Sequence, residues 1–115
     1  MYDKLIDKNT VSEKQCFNFH PGVLPEYRGA GAYSWVILNG ERKTGVTLHR
    51  MDSGIDTGDI IEIREFLIRD DDTAYSLFKK AEKLIYRMFR EWFSDILFGE
   101  YEHVPQKKNE GSLYL

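Results

Sequence analysis

The hydrophobic positions of this chain follow two different periods, and the change of period divides it. Up to residue 68 the apolar residues come in short runs broken by Gly, Pro, Asn and Asp, and from residue 74 they recur every three or four positions. The first pattern predicts strands joined by defined turns, the second an amphipathic helix. Residues 15–19, with Cys16, Phe17 and Phe19, predict a strand that stops at His20-Pro21-Gly22. Pro21 and Pro25 make residues 20–29 a loop, because neither strand nor helix continues easily through proline. Residues 30–38 predict a short helix closed by Asn39-Gly40, two residues that tolerate the left-handed conformation. Residues 44–51 predict a strand with Val46, Leu48 and Arg50 on one face and Thr47, His49 and Met51 on the other. Residues 52–58 read as a turn-rich loop, and 59–68 as a third strand whose imperfect alternation suits a sheet edge.

Asp70, Asp71, Asp72 and Thr73 then supply N-terminal acids and a cap for the strongest helix. Ala74, Leu77, Phe78, Ala81, Leu84, Ile85, Met88, Phe89, Trp92, Ile96 and Leu97 recur at helical spacing, with charged residues between them, and Gly99 ends the pattern. Trp35, Trp92 and the helix phenylalanines are assigned to the core. Residues 1–14 read as a polar lead-in, and the Ser112-Leu113-Tyr114-Leu115 ending leaves room for one more strand. The order strand, helix, strand, strand, helix is α/β. Some two dozen helical residues span roughly 35 to 40 Å at 1.5 Å each. Three strands cannot cover a helix of that length. Residues 1–115 are therefore expected to form the C-terminal half of a larger sheet domain whose N-terminal half is absent.

Composition changes this picture little. At 115 residues the chain is one domain at most, and 42% hydrophobic with 30% charged residues is ordinary for a globular protein. A net charge of −3 gives no bulk basic surface for nucleic acid, although a local patch is compatible with it. The single cysteine, Cys16, cannot form an internal disulfide and reads as a core thiol in a reducing compartment. There is no membrane-length apolar run and no signal-peptide core, so the expected setting is cytoplasmic, with no membrane partner.

Chemistry concentrates at two places. Asn18 and His20 alternate at a strand end, so their side chains share a face. An Asn amide donates to a developing oxyanion, and a His donates or moves a proton. The alternative is a turn-capping Asn and a His satisfied by local backbone. Asp56 lies in the Gly54–Gly58 loop, where a carboxylate beside an imidazole would raise its pKa and hold its ring. Asp52, Asp56 and Asp59 are equally readable as turn formers. Tyr27 and Arg28 follow the first site, either as a solvated pair or as a contact for an anionic acceptor. His49 and His103 have no metal-ligand partner at useful spacing, so no metal site is expected.

Taken together, Asn-x-His-Pro from Asn18, Leu-Pro-x-Tyr-Arg-Gly from Leu24, Asn39-Gly40, Gly45-Val46-Thr47 and Asp-x-Gly-x-Asp-x-Gly from Asp52 form a combined pattern. It resembles the folate-dependent formyltransferases, which include methionyl-tRNA, glycinamide ribonucleotide and nucleotide-sugar N-formyltransferases. The resemblance is strongest over residues 15–68, and the long helix agrees in kind. It implies a Rossmann-like domain and formyl transfer from 10-formyltetrahydrofolate, as co-substrate, to a primary amine. Asn18, His20 and Asp56 match the family's catalytic trio. Asn18 is then the oxyanion donor, and His20, kept protonated by Asp56, a second donor and proton carrier. Leu24, Pro25, Met51, Asp52, Gly54 and Ile55 match the folate-binding positions, and Tyr27 and Arg28, in the loop beside the site, are the expected substrate contacts.

The chain departs from the family in Gly22, where a small polar residue is usual, and in the missing first half of the domain. No C-terminal domain of the tRNA-directed kind follows. The expected acceptor is a small-molecule amine on a nucleotide sugar. The alternatives are a methionyl-tRNA formyltransferase fragment, the one case with a nucleic-acid partner, and a non-catalytic module of the same fold. The incomplete sheet also points to a homodimer or a complementing chain.

Overall fold

A computed structural model describes residues 16–106 and the strand pair at 113–114; the lead-in expected over 1–14 lies outside the described residues. The elements are β1 (Phe17–Pro21), β2 (Arg28–Gly29), α1 (Ala32–Leu38), β3 (Lys43–Arg50), β4 (Ile60–Leu67), α2 (Ala74–Leu97) and β5 (Leu113–Tyr114). β1, β3 and β4 form an antiparallel sheet with β3 in the centre, while β2 and β5 pair in parallel. The α/β class and the expected strand order hold, and β5 fills the place the C-terminal ending left open.

β1 runs two residues beyond its expected end. Gly22 N–H bonds the Gly45 carbonyl at 2.8 Å, so Asn18, His20 and Gly22 turn their N–H groups toward β3. Proline 21 falls between them with its nitrogen facing away, where a missing donor costs the ladder nothing. α1 begins at Ala32 rather than residue 30, because Gly31 stands before it with φ 72°. That left-handed backbone cannot belong to a right-handed helix. At the other end Gly40 takes the left-handed position (φ 68°), while Asn39 does not (φ −84°).

Register assigns the two faces of the sheet. Phe17, Phe19, Val46 and Leu48 face the helices and pack with Tyr33, Val36, Leu77, Ala81 and Met88. Asn18, His20, Thr47 and His49 face the other way and are nevertheless buried. α2 starts where its local signals place it. Thr73 accepts the Ser76 N–H at 3.1 Å while Ser76 Oγ accepts the Thr73 N–H at 2.8 Å, a reciprocal capping box.

The core assignment of the helix aromatics needs correction. Leu77, Ala81 and Met88 form the buried stripe, whereas Tyr75, Phe78, Tyr86, Phe89, Phe93 and Leu97 lie exposed along a second stripe. At 100° per residue the second stripe lies about a third of a turn from the first, beyond the reach of a three-stranded sheet. Trp35 is 38% exposed as well, and Cys16 is half-buried rather than a core thiol. Trp92 does contribute inside, packing on the core cluster and donating Nε1–H to Glu62 at 2.6 Å. Among the described residues no helix is long and apolar enough to cross a membrane.

Candidate active site

Strand pairing builds this site. Asn18 on β1 stands opposite His49 on β3, and His20 opposite Thr47, so four polar side chains share one small patch of sheet. Asn18 is 7%, His20 2% and His49 1% exposed. The turn after β3 brings Asp56 over this patch. Asp56 holds φ 54°, a left-handed conformation that Asp and Asn adopt more readily than most residues. That turn points its carboxylate back, Oδ2 lying 3.3 Å from His20 Nδ1 and Oδ1 3.6 Å from His49 Nε2. Gly29 N–H anchors Oδ2 at 2.8 Å.

The loop 22–28 closes the other side. Its Leu24–Pro25 peptide is cis. Thr47 Oγ1 donates to the Gly22 carbonyl at 2.7 Å and accepts the Leu24 N–H at 3.1 Å, fastening the loop to the sheet. Tyr27, with φ 56°, turns its carbonyl onto His20 Nε2 at 2.7 Å. A carbonyl only accepts, so His20 carries a proton on Nε2.

The expected trio of Asn18, His20 and Asp56 is thus brought together. The expectation that Asp56 keeps His20 protonated is not met. Burial outweighs the carboxylate's attraction and holds the His20 pKa below the usual histidine value. His49, given no role from the sequence, stands between Asn18 Nδ2 (3.5 Å) and Asp56 Oδ1, with Nδ1–H donating to the Arg50 carbonyl at 3.0 Å. Its signal was its alternation with Thr47, but only the register to β1 gives that alternation meaning.

Arg28 also differs from the acceptor contact expected of it. It is buried, and Nε and Nη2 donate to Gln106 Oε1 at 3.2 and 2.9 Å. Gln106 in turn donates to the carbonyls of Asp56 (2.8 Å) and Gly58 (2.7 Å). The pair braces the Asp56 turn from beneath, a role open to Arg28 because β2 carries it inward. Gln106 stands in a polar tail, and nothing local in the sequence points to this bracing role. Tyr27 is half-buried, its hydroxyl accepting from Asn39 Nδ2 at 3.1 Å.

Of the folate-binding candidates, Leu24 is buried beneath its loop, while Pro25, Met51 and Ile55 are half-buried and Gly54 is exposed. Asp52 accepts from Gly54 N–H (2.9 Å) and Thr57 Oγ1 (2.6 Å), so it shapes its own loop. Asp59 pairs with His103 at 2.6 Å. Among the described residues no three His, Cys, Asp or Glu side chains are placed to hold a metal ion. An open hollow of about 770 Å³, lined by Phe17, Arg50, Ile96, Tyr101 and His103 among others, lies at the far end of α2 and shares no residue with the trio.

A family model described as formyl transferase matches residues 1–91. A methionyl-tRNA formyltransferase from Caldanaerobacter subterraneus is 37% identical over 98% of this chain and 37% of its own length. A formyltransferase from Anoxybacillus kamchatkensis, solved with UDP-4,6-dideoxy-4-formamido-L-AltNAc and tetrahydrofolate, is 32% identical. It superposes with TM-score 0.89 over 98% of this chain and 60% of that one. An N-formyltransferase from Helicobacter canadensis, in complex with folinic acid and dTDP-3-aminofucose, is 37% identical with TM-score 0.81, over 85% and 36% of the two chains. The chain spans about a third of the length of the curated relatives it matches.

Proposed function

This chain belongs to the formyl transferase family, and we propose that it supplies the reacting groups for moving a formyl group from 10-formyltetrahydrofolate to the primary amine of a nucleotide-linked amino sugar. The observation that carries this is the meeting of Asn18, His20 and Asp56, from two separate strand ends, on one buried patch. Attack of the amine nitrogen on the formyl carbon moves the carbonyl electrons onto oxygen, where an Asn18 Nδ2–H stabilises the charge. His20 takes the amine's proton. Its Nε2–H is already given to Tyr27, so the proton goes to Nδ1, and the imidazolium then gains the Asp56 carboxylate as partner. His20 returns the proton to the departing folate nitrogen as the carbon–nitrogen bond breaks, leaving a formamide and tetrahydrofolate.

Pro25, Met51 and Ile55 offer an apolar wall for the pterin, with Leu24 buried beneath its loop and Asp52 and Gly54 presenting loop backbone to the ligand. Tyr27 is assigned to the acceptor side, while Arg28, through Gln106, braces the turn that carries Asp56. Solved relatives carrying both a folate and a nucleotide sugar support the acceptor assignment. The curated methionyl-tRNA formyltransferases, 37 to 40% identical, favour a second reading with charged tRNA as acceptor. The exposed aromatic stripe of α2, and a β1 that pairs only with β3 among the described residues, support a chain that acts as the C-terminal half of its domain. A complementing chain or second copy would supply the rest. A free Cys16 suits a cytoplasmic setting.

The test is incubation of the protein with 10-formyltetrahydrofolate and a panel of amino-sugar nucleotides and charged initiator tRNA, with product read by mass. Formylated sugar is expected; formylation of tRNA alone would replace the acceptor. No product from folded, folate-binding protein would sink the enzyme reading. Asp56→Asn, which keeps the left-handed backbone, should lower kcat by about a hundredfold or more with the fold intact.

A further inference from the structure

His49 is the one buried titratable group on this patch that the formyl-transfer chemistry above leaves unused. It is 1% exposed and stands directly across the strand pair from Asn18. Its Nδ1 faces the Arg50 carbonyl at 3.0 Å, and a carbonyl accepts only, so Nδ1 bears a proton. What Nε2 does then depends on charge. In the neutral ring Nε2 is a lone pair, and its available donor is Asn18 Nδ2 at 3.5 Å. In the cation Nε2–H would meet that amide donor to donor, and would turn to Asp56 Oδ1 at 3.6 Å. The groups facing His49 among the described residues oppose one another. Burial, the largest influence, and His20, with its ring centroid 6.4 Å away, disfavour the cation, while the Arg50 carbonyl, Asp56 and Asp52 favour it.

We infer that His49 is the positioning residue of this site: neutral and protonated on Nδ1, it accepts one Asn18 Nδ2–H and so fixes which end of that amide faces the reacting carbonyl. A planar amide nitrogen carries two hydrogens. Committing one to His49 leaves the second as the oxyanion donor and keeps Oδ1, which would repel the oxyanion, on the opposite side. Protonating His49 removes the acceptor, and the amide is then free to turn over. The consequence for turnover rests on the formyl-transfer reading. The His49–Asn18 link itself does not.

Two measurements separate the two. Nitrogen-15 NMR of the imidazoles should find His49 in the Nδ1–H form at neutral pH. The Asn18 side-chain amide signals should move with the His49 titration as pH falls. In steady-state kinetics His49→Leu should lower kcat by about tenfold or more with KM for 10-formyltetrahydrofolate nearly unchanged, the scale seen when a group that orients a reacting ligand is removed. His49→Gln, whose side-chain oxygen reaches the Nε2 position and does not titrate, should recover much of that loss and change the acid limb of the pH profile. An Nε2–H tautomer, an Asn18 amide indifferent to His49, or a folded His49→Leu protein with wild-type kcat would each overturn the inference. Wild-type protein that turns over no acceptor would count against formyl transfer instead, and the NMR result would still decide the His49–Asn18 link.

Discussion

Thr47 offers the most direct test of how the site is held, because one hydroxyl does two jobs in a place without exposure. Its side chain is fully buried, and Oγ1 donates to Gly22 O at 2.7 Å while accepting Leu24 N–H at 3.1 Å. Thr47→Val keeps the shape and leaves a backbone donor and a backbone acceptor unpaired beneath the loop. Each such group costs about 1 to 3 kcal/mol when buried. Removing the hydroxyl's own desolvation returns part of that, so a net loss of about 3 kcal/mol is expected. Thr47→Ser keeps both bonds and deletes a methyl group, for about 1 kcal/mol. Urea unfolding followed by far-UV circular dichroism reads both. With a slope of about 1 to 3 kcal/mol per molar urea, valine should lower the midpoint by about 1 to 3 M at unchanged slope, and serine by about a third as much. The reverse ordering, or a valine loss below about 1 kcal/mol, would refute the claim that the hydroxyl, not the methyl, fastens the loop.

Other outcomes follow from the same geometry. Asp72 accepts from Lys80 Nζ, the Arg69 N–H and Ser76 Oγ, which hold its carboxyl down at about 2. A depressed carboxylate stabilises the fold above the unfolded pKa near 4, and that contribution fades as pH falls toward 2. Thermal melts should show that fade in the wild type and lack it in Asp72→Asn. The buried histidines act in a different window. Both sit below the usual value, so their neutral forms support the fold fully above about pH 6.5 and less as acid favours the charged unfolded chain. Gly58→Ala should loosen the Asp56 turn, since a Cβ there runs into the Arg50 carbonyl oxygen. We expect a loss of about 2 kcal/mol or more in urea unfolding, and a wild-type midpoint would refute the close approach.

How much of this molecule is legible without coordinates depends on the range of the interaction involved. The long helix is fixed by neighbours within a few residues: Thr73 and Ser76 at one end, apolar recurrence along it, Gly99 beyond it. Its bounds match the local signals for that reason. β1 runs two residues past its expected end and α1 starts two residues late, where the deciding feature is a backbone direction at Pro21 or Gly31 that residue type suggests without fixing. Asn18, His20 and Asp56 are also readable, because their spacing is tied to turn residues that belong to one recognisable pattern.

Tertiary structure alone decided the rest. Only register places His49 across from Asn18, and only burial outweighs the pull of Asp56 on the His20 proton, since the cost of desolvating an imidazolium depends on everything packed around it. Arg28 turns inward because Gln106, 78 residues away, comes to meet it. The aromatic stripe of α2 looks like core in one dimension and stands exposed in three, because a three-stranded sheet has only one face to give it. Sequence determined which chemical groups this chain carries and the local elements that hold them. Which group touches which, and in what charge state, came from contacts between residues far apart in the chain, whose energies depend on burial that no local pattern encodes.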